Sequence, residues 1–307
     1  MLARNAGLCL LYIALNVALN FLNRWALGLH GFTFPLALTA AHMLLNPVLL
    51  LPVMLARGVA WEEHRRTVCA QWKVILVVGL LNGVQIALNN SSLVLMELTL
   101  NQVVRAAMPV FVALLAAVVE NRVPTAEQLA ALGLISLGVM LAVYQPGSSL
   151  GGDLHGTLLV ICSVAMMALQ MSFSGRLGMK MDAVQMTFYT GWLSFLGVVG
   201  PVAAFEGRAF LSHVVAHPGA SAAILAGSCL LAVAYNVVVF QTIRGLSAVG
   251  SAVLGNVKVV VISLASALWM GEMRQWQPRQ HVGCALTFGG AAVYSALKLR
   301  KAPGKGK

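Results

Sequence analysis

The chain has 307 residues, 59% of them hydrophobic and only 9% charged, with a formal net charge of +11. Soluble domains carry roughly 25% charged residues, and a mean hydropathy of +0.85 leaves too little polar surface to cover a water-soluble body. A soluble enzyme, a nucleic-acid module and a disordered chain are excluded, and an all-α integral membrane protein is predicted.

A bilayer-crossing helix needs about 20 mostly apolar residues. In chain order, such segments fall at 7–29, 33–56, 74–96, 99–119, 127–145, 155–175, 184–206, 219–243, 246–271 and 278–299, ten spans in all. No small-residue cleavage site closes the first, so it is expected to be a retained helix and not a signal peptide. The connections are short, the longest being a basic loop around 57–73, which leaves no room for an extramembrane catalytic domain. With the N-terminus inside, the cytosolic face collects 14 of the 20 Lys and Arg, while the other face holds only Arg24, Arg208, Arg274 and Arg279. The positive-inside rule then puts both termini in the cytosol. The basic charge thus reads as topology, and no nucleic-acid polymer is expected as a partner.

The fourth–fifth and ninth–tenth spans echo each other. In both, an apolar helix ends at a Glu (Glu120, Glu272), a turn with a Pro follows (Pro124, Pro278), and a helix ends near a Tyr (Tyr144, Tyr294). Gly138 and Gly290 each stand 18 residues after their Glu, and a cation, Arg105 or Lys258, stands 15 or 14 residues before it. Two halves of five spans, residues 1–146 and 147–307, are the expected product of an inverted repeat, because five is odd and the second half enters from the opposite face. Transporters built this way bind their substrate near the midplane.

Arg105 and Lys258 are the most informative residues. A charge at bilayer depth costs about 2.5–3.5 kcal/mol on insertion scales. Snorkelling is a fair alternative for Arg105, seven residues into its span, and a poor one for Lys258, thirteen residues into its own. Every acidic residue falls in a loop or at a span end, so a bound anion is the leading reading of the two cations. Phosphate fits, since Arg can engage it bidentately and Lys as a point charge.

Gln102 shares part of the helical face of Arg105, and Asn256 precedes Lys258 by two residues. Asn89 and Asn90 in the third span, and Tyr235 and Asn236 in the eighth, could read a sugar or a base; interhelical hydrogen bonding is the equal alternative for each. His42 sits mid-span without metal-ligand spacing and is expected to be a satisfied packing histidine, kept as a site candidate. Gly79 and Gly83 form a small-xxx-small pair suited to close packing. The five cysteines are scattered, so neither a metal nor any cofactor is expected. No acid stands within a span to hold magnesium-pyrophosphate or to orient a His or Ser, which sets an intramembrane enzyme aside.

Several stretches resemble the triose-phosphate and nucleotide-sugar translocators of the drug/metabolite transporter superfamily. FTFPLALTAAH (Phe32 to His42) is similar to their F-x-F-P-x-x-L-T-x-x-H signature, and LNFLNRW (Leu19 to Trp25) to N-x-x-N-K with Arg24 in place of Lys. TLNQVVRAAMP (Thr99 to Pro109) resembles T-x-x-Q-x-x-K-x-x-x-P, again with Arg for Lys, and SAVLGNVKVVVIS (Ser251 to Ser263) resembles their ninth-span G-N-x-K. The resemblance implies ten helices in two inverted halves and alternating-access exchange of anionic substrates, with Arg105 and Lys258 on phosphate. Plastid triose-phosphate members carry Lys-Arg in the ninth span, whereas Val259 follows Lys258 here, a pairing similar to a plant-type nucleotide-sugar branch. FYTG (Phe188 to Gly191) departs from the F-Y-N-N of GDP-mannose carriers. The expectation is therefore a Golgi or endoplasmic-reticulum antiporter of a nucleotide sugar against a nucleoside monophosphate. The alternative is a sugar-phosphate/phosphate exchanger of the plastid inner envelope. The expected partners are a phosphorylated small molecule and the lipid bilayer, with a second copy of the chain as a candidate.

Overall fold

A computed structural model describes residues 2–56, 61–120, 124–143, 152–177, 181–245 and 248–301. Among them every regular element is helical, as lipid requires of a backbone that must satisfy its own hydrogen bonds. The α-helices are α1 (Leu2–Arg24), α2 (Pro35–Ala56), α3 (Trp61–Leu95), α4 (Leu98–Arg105), α5 (Met108–Glu120) and α6 (Ala126–Val143). They continue as α7 (Gly152–Leu177), α8 (Ala183–Pro201), α9 (Gly207–Ala216), α10 (Pro218–Gly245), α11 (Ala248–Trp269) and α12 (Pro278–Lys301). Single π-helical turns extend α1 (Trp25–Leu29) and α8 (Val202–Glu206), and a 3-10 turn (Glu272–Gln275) follows α11.

Seven stretches are long and apolar enough to cross a bilayer: Gly7–Leu29, Pro35–Ala56, Glu62–Leu95, Leu98–Leu115, Leu154–Met171, Ala183–Ala216 and Pro218–Thr242. Ala126–Ala142 and Val257–Trp269 are shorter apolar helices. The protein is multi-pass.

Local chemistry explains the helix starts. α2, α10 and α12 open on Pro35, Pro218 and Pro278, where the missing N–H of proline would be unpaired in any case. α8 opens on a capping box: the Asp182 carboxylate accepts from Val184 and Gln185 N–H, and the Gln185 side chain accepts from the Asp182 N–H. The expected basic loop at 57–73 is corrected. From Trp61 onward it is helix, continuous with the third span. Glu62 and Glu63 in the first turn suit the positive end of the helix dipole, Arg66 pairs with Glu62 at 3.6 Å, and no Gly or Pro interrupts 61–73.

The chain forms two compact units. Unit 1 comprises Met1–Val94 and Leu169–Gly245; unit 2 comprises Leu95–Ala168 and Leu246–Lys307. Both draw on each sequence half, so the units cut across the proposed repeats. In unit 1, α2 packs on α8 and α1 on α10. A Cβ on Gly83 would lie 2.4 Å from the Ser194 carbonyl, and one on Gly79 2.6 Å from Leu193 Cβ. The third and eighth helices thus meet backbone to backbone.

In unit 2 the broadest packing is α6 on α12. A Cβ on Gly138 would meet Thr287 and Gly283, and one on Gly290 would meet Ile135 and Ala131. These partners share one offset of 152 positions (131 to 283, 135 to 287, 138 to 290). The contact is therefore reciprocal, as in a two-fold interface between like helices.

Candidate functional site

In unit 2, Arg105 is the last residue of an eight-residue helix whose other side chains, Leu98 to Val104, are all buried. The helix stops there because Pro109, second in α5, has no N–H to offer the Arg105 carbonyl. The backbone tightens through the break, with Ala107 N–H on the Val104 carbonyl and Val110 N–H on the Ala107 carbonyl. The fourth span is thus discontinuous at its cation, a form that transporters use where substrate binds.

Arg105 is half-buried, and its Nη2 lies 3.2 Å from the Met167 sulfur of α7. Lys258 is only 4% exposed. Its helix, α11, packs on α4, and the Arg105 and Lys258 charges act on each other. Two cations far apart in sequence therefore share one electrostatic environment within one unit. Gln102 is buried, its Nε2 donating to Asn101 Oδ1 at 3.1 Å while its Oε1 has no partner. Ser263, on α11 after Lys258, also has a buried hydroxyl with no partner. Asn256 lies on the backbone of α11, and its side chain is outside the described residues, as are the Glu120 side chain and Tyr144 of the sequence echo.

The remaining sequence candidates fall in unit 1. Asn90 is used in helix–helix bonding, since its Nδ2 donates to Thr39 Oγ1 at 2.9 Å and its Oδ1 accepts from Asn23 Nδ2 at 3.3 Å. Asn89 is half-buried, and its carbonyl accepts from Ser92 Oγ at 2.6 Å. Asn236 donates to Asn46 Oδ1 at 3.3 Å, and the Tyr235 ring lies 5.7 Å from that of Tyr12. His42 departs from expectation. It is 2% exposed, yet its Nε2 is buried without a partner, because the polar neighbours one turn away along α2 are turned elsewhere: Thr39 to Asn90 and the Pro35 carbonyl, Asn46 to Asn236 and Met43.

Sequence reasoning passed over Asn82, and it named Arg24 without giving it a partner. Asn82 donates to Ser194 Oγ at 3.2 Å and accepts from Gln170 Nε2 at 2.9 Å. Arg24 donates from Nη1 to the Leu93 carbonyl at 2.8 Å, so its charge serves the carbonyl-bearing end of α3. The one signal available for the amides was their position inside apolar runs.

The sequence profile of the Triose-phosphate Transporter family matches residues 3–295. The chain belongs to that family. This transporter is similar to human "Solute carrier family 35 member E4", with 30% identity over 95% of this chain and 80% of the relative. A probable sugar phosphate/phosphate translocator of Arabidopsis thaliana is 26% identical over 96% of this chain and 87% of its own. "UDP-galactose transporter 1" of the same plant is 23% identical, covering 92% and 84%. Two cations on packed helices of one unit are chemically suited to an anionic group.

Proposed function

We propose that this transporter is an alternating-access antiporter exchanging a nucleotide sugar for a nucleoside monophosphate across a Golgi or endoplasmic-reticulum membrane. Ten spans in two inverted five-helix repeats, residues 1–146 and 147–307, with both termini cytosolic, carry the exchange. The reciprocal contact of α6 and α12 at a constant offset supports the repeat.

The observation that carries the reading is the placement of Arg105 and Lys258 on packed helices of one unit, beside a break in the fourth span. The guanidinium and ammonium hold the phosphoryl group, with Asn256 and Gln102 as polar neighbours. Without an anion the two cations repel, so conformational change of the empty carrier is disfavoured. Binding offsets that repulsion and permits the switch, which couples inward movement of one substrate to outward movement of the other.

Val259, standing where plastid members carry a second cation, favours the nucleotide sugar. The second reading, a sugar-phosphate/phosphate exchanger, is favoured by the name of the Arabidopsis translocator. Counterflow in proteoliposomes loaded with nucleoside monophosphates or with inorganic phosphate separates the two. Lys258→Ala is expected to abolish exchange of either cargo while leaving the purified protein monodisperse. Undiminished counterflow in that variant refutes the site.

A further inference from the structure

Two carboxylates in this chain perform the same unusual task. In unit 2, Glu272 Oε1 accepts from the Leu98 N–H at 3.0 Å and Oε2 from the Thr99 N–H at 2.9 Å. In unit 1, Glu206 Oε1 accepts from the Leu36 N–H at 3.0 Å and Oε2 from the Ala37 N–H at 2.8 Å. Each caps the first available donors of another helix, α4 and α2, from a residue far along the chain. A carboxylate there satisfies donors that the helix cannot pair itself and meets the positive end of its dipole.

The two caps differ in what they hold. Glu272 Oε2 also accepts from Thr99 Oγ1 at 2.9 Å and from Ser266 Oγ at 2.6 Å. Ser266 belongs to α11, two turns beyond Lys258, and Thr99 is the second residue of the short helix that ends at Arg105. One carboxylate thus ties the start of the Arg105 helix to the end of the Lys258 helix. α4 has only eight residues and is broken at its far end, so little else along its own axis sets its register. Glu206 holds α2, which carries neither cation.

We infer that Glu272 is a positioning residue for anion binding, setting the register of α4 against α11 so that Arg105 and Lys258 converge on one phosphoryl group. The inference rests on the function proposed above. Small misplacements of a positioned group are expensive: in catalysis a shift of about 1 Å can cost roughly 100-fold in rate.

The test uses the purified full chain in detergent with inorganic phosphate as the probe. Two quantities are read separately: the thermal midpoint without phosphate, and the phosphate concentration that gives half of the maximal rise in that midpoint. Glu272→Gln keeps the shape and removes the charge. Glu206→Gln makes the same change where no cation follows. Both are expected to lower the unliganded midpoint. Only Glu272→Gln is expected to raise the half-maximal phosphate concentration, by roughly tenfold or more, and Glu272→Asp, which keeps the charge, should recover part of the loss. Should Glu272→Gln not yield folded protein, Ser266→Ala carries the test, since it cuts the tie to α11 and leaves the α4 cap; a weaker loss in the same direction is expected. Lys258→Ala separates the two levels of the argument. If it abolishes the phosphate response while Glu272→Gln (or Ser266→Ala) responds like Glu206→Gln, the positioning role is overturned and the anion site stands. If Lys258→Ala responds to phosphate like the parent protein, the anion site falls and the positioning role with it.

Discussion

Gly138→Ala would place a methyl group where α6 and α12 meet backbone to backbone. The new Cβ would lie 2.4 Å from Thr287 Oγ1, 2.5 Å from Thr287 N and 2.6 Å from the Gly283 carbonyl. Favourable separations for carbon lie near ~3.5–4.0 Å, so the helices must part by about 1 Å along this stretch. Rotation of Thr287 gives no relief, because two of the three neighbours are backbone atoms and its hydroxyl already donates to the Gly283 carbonyl at 2.8 Å. Overpacking of this kind destabilises by about 1–3 kcal/mol. Helix propensity acts in the opposite direction, favouring Ala over Gly by about 1 kcal/mol. Gly133, on the same helix with nothing within 4 Å of its Cβ position, isolates that opposing effect. Gly133→Ala is expected to match or slightly exceed the parent in thermal midpoint, and Gly138→Ala to fall below Gly133→Ala by several degrees, at about 2–4 °C per kcal/mol. The assay is thermal unfolding of detergent-solubilised protein, with Gly283→Ala and Gly290→Ala measured alongside. Equal midpoints for Gly133→Ala and Gly138→Ala would refute the close approach.

Asp182→Ala removes the capping box of α8 and is expected to lower stability by about 0.5–2 kcal/mol, while Asp182→Asn, which keeps an acceptor, should lose less in the same unfolding assay. Asn90→Ala removes the bonds to Thr39 and Asn23 inside unit 1; about 1 kcal/mol is expected, the scale of interhelical hydrogen bonds in membranes, and a double variant with Thr39→Val should cost less than the two singles summed. For Glu272, burial would raise the carboxyl, but bonds from Ser266, from the Thr99 and Leu98 backbone and from the Thr99 hydroxyl outweigh it and hold the group below its ordinary 4.5. A depressed native value means that the contribution is complete above the ordinary value and disappears as pH falls through the native one. The midpoint gap between the parent and Glu272→Gln should therefore be constant from neutral pH to about 5 and close only below 4.5; a gap that closes by pH 6 contradicts the hydrogen-bond geometry.

The helical, membrane-spanning character was legible because apolar run length is a local property, and Arg105 and Lys258 stood out because charge inside such a run is rare. The start of α3 was missed at residues 61–73, where polarity was taken for irregularity; Glu62 and Arg66 at helical spacing were the available sign. The roles of Glu206 and Glu272 could not be read, since an acid at a span end looks alike whether it faces water or caps a helix 170 residues away. The same holds for His42. The lack of a partner at its Nε2 depends on where Thr39 and Asn46 turn, and they turn toward residues distant in sequence.

The interruption after Arg105 also has a mechanical meaning. An unbroken α-helix transmits torsion and bending along its whole length, because each rung of its ladder braces the next. Here the ladder tightens between α4 and α5, where the Ala107 N–H turns to the Val104 carbonyl, and it loses one rung at the N–H that Pro109 lacks. The fourth span is two struts with one rung missing between them, and the join follows directly on Arg105 in the chain. A span divided in this way bends at the join more readily than a continuous helix does.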